Sequence, residues 1–160
     1  MKTLLGLGAD PNAHSRFEAR PLCQADARTR ELLLAHGAKV DFWSACALGM
    51  TDRVRTMLAA NPALADADDP DSASVKPMYY AADRGHLRIV KLLMAHGAKP
   101  GPHALLGAVI GGNKDVARYL LDNGADMGVQ PPLRFVMHRS DRRDMVRFIQ
   151  DYRAAHPDRW

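Results

Sequence analysis

Histidine and cysteine are the side chains of this 160-residue chain that could most directly bind a metal or act as nucleophiles. The chain holds seven His and two Cys. A zinc site would need ligand spacings such as Cys-x-x-Cys or His-x-x-x-His, and neither occurs in the sequence. Cys46 follows Ala45 in a stretch of small residues, which favours an inert core thiol, whereas Cys23 could be partly exposed. We therefore expect no metal site, no cofactor and no catalytic nucleophile.

Two other segments could be taken for ligand-binding loops. The acidic stretch ADADDPD at residues 65–71 alternates like a calcium loop, but no Gly and distal Glu follow in the required order. LGLGAD near the N-terminus contains part of a dinucleotide-binding motif, but it follows no predicted strand and opens no predicted helix. We expect a solvated acidic loop at 65–71 and a helix end at Gly8.

Arginine accumulates at the C-terminal end of the chain. Residues 133–160 contain seven Arg and four Asp, while the whole chain has a formal charge of +4. The basic side chains that could contact phosphates are Arg134, Arg139, Arg142, Arg143 and Arg147. Binding through them would depend strongly on salt, and the interleaved Asp141, Asp144 and Asp151 cancel much of the field. Nucleic acid is therefore a disfavoured partner. We keep the binding of nucleic acid or another polyanion through this basic C-terminal segment as the alternative to the function predicted below.

The composition favours a helical protein of the cytoplasm. Hydrophobic residues make up 47% of the chain and aromatic residues only 6%, so the core must be built mainly from Ala and aliphatic side chains, which favour helices. Two cysteines make no disulfide framework and indicate a reducing compartment. No apolar run approaches the length that spans a membrane, and no signal segment is visible.

One phrase recurs along the chain and marks where helices end. LLLAHGAKV at residues 32–40 returns as LLMAHGAKP at 92–100, with echoes in LLGLGADPN at 4–12 and YLLDNGADM at 119–127. Glycine adopts the left-handed conformation just past a helix at no steric cost, so each Gly predicts a helix end. Midway between Gly37 and Gly97 the chain has Asn61 before Pro62, and we expect Asn61 to take that conformation instead.

The unit between successive helix ends resembles the ankyrin repeat. KPMYYAADRGHLRIVKLLMAHGAK (76–99) resembles the family's unit throughout, and HALLGAVIGGNKDVARYLLDNGAD (103–126) matches almost as well. The resemblance implies an all-α solenoid of stacked antiparallel helix pairs, each made of an inner and an outer helix, which forms one domain over 1–160. The loops that join successive repeats, called fingers, are mostly shortened here. The predicted units are a partial repeat at 1–15, repeats at about 16–39, 40–64, 76–99 and 103–126, and a capping repeat at 131–155.

The two ends of the predicted array differ. The last helix, at about 143–154, can turn Met145 and Ile149 inward and Arg143 and Arg147 outward, which suits a C-terminal cap. The N-terminal unit lacks its inner helix. We expect residues 1–15 to be poorly ordered or to pack on another surface, and self-association through this incomplete end is one hypothesis.

The family resemblance implies a binding surface on the concave face, lined by inner helices and fingers. Only the 61–77 connection is long enough for a full finger. The predicted partner-binding residues are Trp43, Tyr79, Tyr80, Asp83, Arg84 and Arg139. Aromatic rings and Arg dominate protein-binding hot spots. Packing between repeats is the alternative role for Trp43 and Tyr79, whereas Tyr80 and Arg84 should be exposed. The predicted function is a non-catalytic module that binds a protein, not an enzyme.

Overall fold

The computed structural model describes residues 6–13, 21–70, 75–126 and 143–157, and this part of the chain is all-α. The helices are α1 (Pro21–Gln24), α2 (Ala27–Ala35), α3 (Phe42–Ala47), α4 (Thr51–Ala60), α5 (Pro77–Asp83), α6 (Leu87–Ala95), α7 (Pro102–Gly111), α8 (Lys114–Asp122) and α9 (Arg143–Ala155). A short 3-10 helix, Pro62–Asp66, follows α4. The inner helices α3, α5 and α7 pack side by side, and the outer helices α4, α6 and α8 form a second layer. The predicted all-α solenoid is confirmed.

Small residues let the inner helices approach one another. Ala45, Ala81 and Ala108 each lie four residues before the glycine that ends an inner helix, and all three are fully buried. The outer helices supply larger apolar side chains, such as Leu93 and Leu120, which are also fully buried. The main core therefore lies between two helix layers, while Leu22, Ala25 and Leu33 form a second, smaller cluster at the first helix pair. Each helix pair depends on its neighbours for burial. The exact limits of the repeats remain a prediction.

The helix-ending glycines behave as the sequence predicts, whereas Asn61 does not. Gly37, Gly97 and Gly124 have φ angles of 87°, 93° and 90°. Asn61 has φ −147° and ψ 91°, which is extended backbone, so the expected left-handed conformation is wrong. The reason is Pro62, which can occupy the first position of a helix, so that Asn61 instead caps the 3-10 helix and accepts a hydrogen bond from the Ala63 N–H at 3.2 Å.

Side chains at the turns between inner and outer helices tie adjacent repeats together. His86 Nε2 lies 3.1 Å from the Ala47 carbonyl oxygen, at the end of the preceding inner helix. One repeat further on, Asn113 Nδ2 donates to the carbonyls of Ala82 and Asp83 at 2.9 and 2.8 Å. His86 therefore has a structural role at this turn, and Asn113 performs the same task at the next turn.

A second series of contacts joins the outer helices. The Lys91 ammonium lies over the Tyr119 ring, and the Arg118 guanidinium lies over the Phe148 ring, each at 5.1 Å from the ring centroid. Lys91 and Arg118 both lie six residues before the glycine that ends their helix, so the contact repeats with the array. Each cation thus covers apolar surface of the following repeat while its charge stays at the surface.

The last helix closes the array much as the sequence predicts. In α9, Met145, Ile149 and Tyr152 are buried, while Arg143 and Arg147 are exposed. The Tyr152 hydroxyl donates to Asp122 Oδ1 at 2.8 Å, which fixes α9 to the end of α8. No helix of the described residues combines the length and the apolar character needed to cross a bilayer.

At the N-terminal end, residues 6–13 reach the second repeat through one side chain. The Asn12 carboxamide oxygen accepts from the Lys39 N–H at 2.7 Å, and Leu7 is 80% exposed. Residues 1–5 and 14–15 lie outside the described part, so the expectations for the incomplete end, including self-association, remain predictions.

Candidate partner-binding face

Three partly exposed apolar side chains form a row across neighbouring inner helices. The row consists of Trp43 on α3, Tyr79 on α5 and Leu106 on α7, and each lies six residues before the glycine that follows its helix. The residue that precedes each of them along the chain is buried in the core. Equivalent positions of stacked repeats point the same way, so these three side chains lie on one face of the array. We call this set the inner-helix row.

Tyr79 is held in place by its neighbours although its ring is partly exposed. Its ring meets the Tyr80 ring edge-on, with centroids 5.6 Å apart and planes at 82°. Burial raises the pKa of the Tyr79 hydroxyl, the Asp83 carboxylate raises that pKa further, and the Arg84 guanidinium opposes the shift. The two alternatives from the sequence, core packing and surface exposure, therefore both apply to parts of this side chain.

Tyr80 is buried, and the expectation that it would be exposed is wrong. Only 6% of the residue is accessible, and its hydroxyl donates to Asp69 Oδ2 at 2.7 Å. Asp69 is itself 3% exposed, which also overturns the solvated loop expected at this position. The acidic connection folds back onto α5 so that one of its carboxylates accepts from the tyrosine, and the Asp69 N–H donates to the Val75 carbonyl at 2.8 Å.

Arg84 lies at the end of α5 and connects it to the first described helix pair. Its guanidinium Nη2 donates to the Cys23 carbonyl at 2.5 Å, and its Nε lies 3.4 Å from Asp83 Oδ2. The side chain remains 38% exposed, in agreement with its predicted exposure. Arg84 and Asp83 therefore border the inner-helix row as an ion pair. Arg139 lies outside the described residues.

A cleft opens where α5 and α7 begin, beside the finger. Its volume is about 200 Å³, and we call it the Lys99–His103 cleft. Its lining is Asp66, Lys76, Met78, Tyr79, Lys99, Gly101, Pro102, His103 and Ala104. Tyr79 belongs both to this cleft and to the inner-helix row, so the two form one continuous surface. The cleft was not predicted from the sequence. The signals for it were Gly101-Pro102, where α7 begins, and Lys99 in the short connection before that helix.

Charges around the cleft are unevenly paired. Lys76 Nζ lies 2.6 Å from the Asp66 carbonyl oxygen, 3.0 Å from Asp66 Oδ2 and 3.7 Å from Asp68 Oδ1. Lys99 is exposed and makes no ion pair or hydrogen bond to a side chain within the described ranges. The cleft therefore has a neutralised cation on one side and an available one on the other.

The potential chemistry of the histidines and cysteines is mostly occupied by structural roles. His36 and His96 each place Nδ1 2.9 Å from a carbonyl oxygen of the last helical turn. Cys46 is fully buried, and burial raises the pKa of its thiol. Cys23 is 5% exposed, so it is a core residue as well. Within the described residues, no group of three or more His, Cys, Asp or Glu could hold a metal ion.

Comparison with known proteins agrees with this architecture. The family model described as ankyrin repeats (3 copies) matches residues 42–131, more than half of the chain. The chain is 33% identical over 105 residues to the cyclin-dependent kinase 4 inhibitor B of Rattus norvegicus, a match that covers 59% of this chain and 81% of that relative. The chain belongs to the ankyrin repeat family. This membership supports a protein–protein interaction module and points to a non-enzymatic protein.

Proposed function

We propose that this chain binds a protein partner on its concave face, with the inner-helix row as the central contact and the 61–77 finger beside it. The observation that carries the proposal is the row itself: Trp43, Tyr79 and Leu106 occupy equivalent, partly exposed positions on three adjacent inner helices. Binding hot spots are typically large, well-packed side chains, most often Trp, Tyr or Arg, surrounded by a rim of weaker contacts. Asp83 and Arg84 supply such a rim.

Several features support a preformed site. The Tyr79 ring is packed against Tyr80, and Arg84 is held by the Cys23 carbonyl, so little side-chain freedom is left to lose on binding. Tyr80 contributes by holding the finger, not by touching the partner. Arg139 remains a proposed contact from the sequence. The rat relative is by name an inhibitor of a kinase, which also favours a protein as the partner.

The test compares two partly buried leucines that lie on opposite helix layers. Leu106 belongs to the inner-helix row, whereas Leu92 lies on outer helix α6. A partner captured from the native host and identified by mass spectrometry would be purified and titrated by calorimetry. We expect Leu106→Ala to weaken binding by more than about 1 kcal/mol and Leu92→Ala to leave it unchanged. Equal affinities for wild type and Leu106→Ala, at unchanged melting temperature, would reject the inner-helix face as the binding surface.

The second candidate function is polyanion binding, and one observation favours it. The outer helices α4, α6 and α8 each carry two exposed basic side chains: Arg53, Arg55, Arg88, Lys91, Lys114 and Arg118. Some of this charge is paired, as between Arg55 and Asp52 at 2.6 Å and between Lys114 and Asp144 at 3.7 Å. Titration of a labelled single-stranded DNA at several salt concentrations separates the two functions. A steep salt dependence that Arg55→Gln and Arg88→Gln reduce would support polyanion binding through the outer helices, and one that Arg143→Gln and Arg147→Gln reduce would support it through the C-terminal repeat.

A further inference from the structure

We propose that the Lys99–His103 cleft is a subsite for an extended acidic peptide segment, which places one apolar side chain in the cleft and an adjacent carboxylate against Lys99. This inference rests on the proposed function and specifies the chemistry of the partner. It makes the shortened 97–102 connection a part of the binding surface, although the sequence suggested that short fingers reduce that surface.

The size of the cleft fits one side chain. Its volume is about 200 Å³. An apolar protein cavity of roughly 150 Å³ holds a benzene molecule, so this cleft has room for a leucine, methionine or phenylalanine side chain. The floor and walls supplied by Met78, Tyr79, Pro102 and Ala104 are mainly apolar. Of these, Met78 and Ala104 are buried core residues that cannot easily move, so the cleft is preformed.

The charges at the rim of the cleft favour a peptide in which an acidic residue is next to the apolar residue that enters the cleft. Lys76 already faces Asp66 and Asp68, and its charge is compensated there. Lys99, on the other side, has no acidic partner among the described residues. His103 also lines this side of the cleft. A carboxylate of the peptide would find a cation at Lys99, whereas a basic peptide would meet repulsion there and would have to compete with Lys76 for the two aspartates.

The backbone around the cleft offers a direct way to block it. Gly101 lines the cleft, has φ −99° and ψ 173°, and a Cβ built there meets no atom within 4 Å. Extended backbone of this kind accepts any residue, and the position before a proline prefers it. Gly101→Leu should therefore narrow the cleft without straining the fold.

The experiment uses a phage-displayed library of random heptapeptides as the probe, selected on the full chain. We expect enriched peptides to pair Asp or Glu with Leu, Met or Phe. A fluorescent peptide of the enriched sequence should bind Lys99→Glu about fivefold more weakly, since an exposed ion pair is replaced by a repulsion of similar size. Replacing the acidic residue of the peptide by Lys should restore binding to Lys99→Glu. Gly101→Leu should also weaken binding, whereas Lys39→Glu, the same charge change at the equivalent exposed position of an earlier repeat, should not.

Three results would overturn the proposal: no enrichment above an unrelated protein, enrichment of basic peptides, or equal binding to wild type and Lys99→Glu. The failure of this inference is distinguishable from the failure of the proposed function. If the native partner is lost with Leu106→Ala but retained with Lys99→Glu and Gly101→Leu, the inner-helix face stands and the cleft does not. If none of these variants changes partner binding, both proposals are wrong.

Discussion

The buried hydrogen bond between Tyr80 and Asp69 should stabilise the fold by holding the acidic finger on α5. Tyr80→Phe removes only the hydroxyl, so the ring still fills its site and no large cavity forms. The change deprives Asp69 Oδ2, in a residue only 3% exposed, of a donor at 2.7 Å. Hydrogen bonds to charged groups contribute about 1.5–3 kcal/mol, so we expect a loss near the middle of that range, about 2 kcal/mol. For a chain of this size this corresponds to a melting temperature lower by about 4–8 °C.

The assay is urea unfolding followed by circular dichroism, arranged as a double-mutant cycle with Asp69→Ala. If the two groups act through each other, the double variant should be more stable than the sum of the two single losses predicts, by about 1–2 kcal/mol. Tyr79→Phe is the matched control because the same atom is removed from the adjacent ring, whose hydroxyl makes no hydrogen bond to the described residues. It should change the free energy of unfolding by less than about 0.5 kcal/mol. Additive losses within about 0.5 kcal/mol, or equal effects of Tyr80→Phe and Tyr79→Phe, would refute the reasoning.

Three further predictions concern the core and the turns. Leu93→Ala, at a fully buried site, should lower the free energy of unfolding in urea by about 2–5 kcal/mol. Leu34→Ala, at a site 37% exposed, should lower it by less than about 1 kcal/mol. Similar losses for the two variants would contradict the two-layer core. Gly85→Ala should destabilise the fold more than Gly97→Ala. Both glycines have positive φ, but of the two only Gly85 would place a Cβ 2.6 Å from a neighbouring side chain, that of Asn113. The reverse order of melting temperatures would count against the contact that Asn113 makes between repeats. Burial raises the pKa of the Cys46 thiol, so iodoacetamide at pH 8 should alkylate it far more slowly in the native than in the urea-unfolded chain, as mass spectrometry would show; equal rates would mean that it is not buried.

The local parts of the fold could be predicted from the sequence. A Leu pair followed by Gly marks a helix end because the left-handed backbone needed there depends on one residue, and Gly37, Gly97 and Gly124 all adopt it. The role of His86 could be predicted for the same reason, because the turn fixes its direction. The small residues of the inner helices, Ala45, Ala81 and Ala108, allow close packing, and all three are buried in the structure.

The parts that could not be predicted depend on the path of the longest connection. Nothing local distinguishes Asp69 from the neighbouring aspartates, and its burial follows from where residues 61–70 return to α5. The expectation for Asn61 is wrong because Pro62 begins a new short helix instead of ending the old one. The cleft required knowledge of two separate connections, at 61–77 and 97–102, which come together only in the folded array.

The residues proposed to bind the partner are in contact with residues that stabilise the fold, and this decides which substitutions are informative. The Tyr79 ring packs on Tyr80, and Tyr80 in turn holds the finger through Asp69. Tyr79→Ala would therefore disturb the core, the finger and the cleft together, and a loss of partner binding could have any of these origins. Lys99 is exposed and Leu106 is not part of the Tyr80–Asp69 contact, so changes there should alter the surface while the finger stays in place. The two proposals are thus best tested at the rim and at the far end of the row.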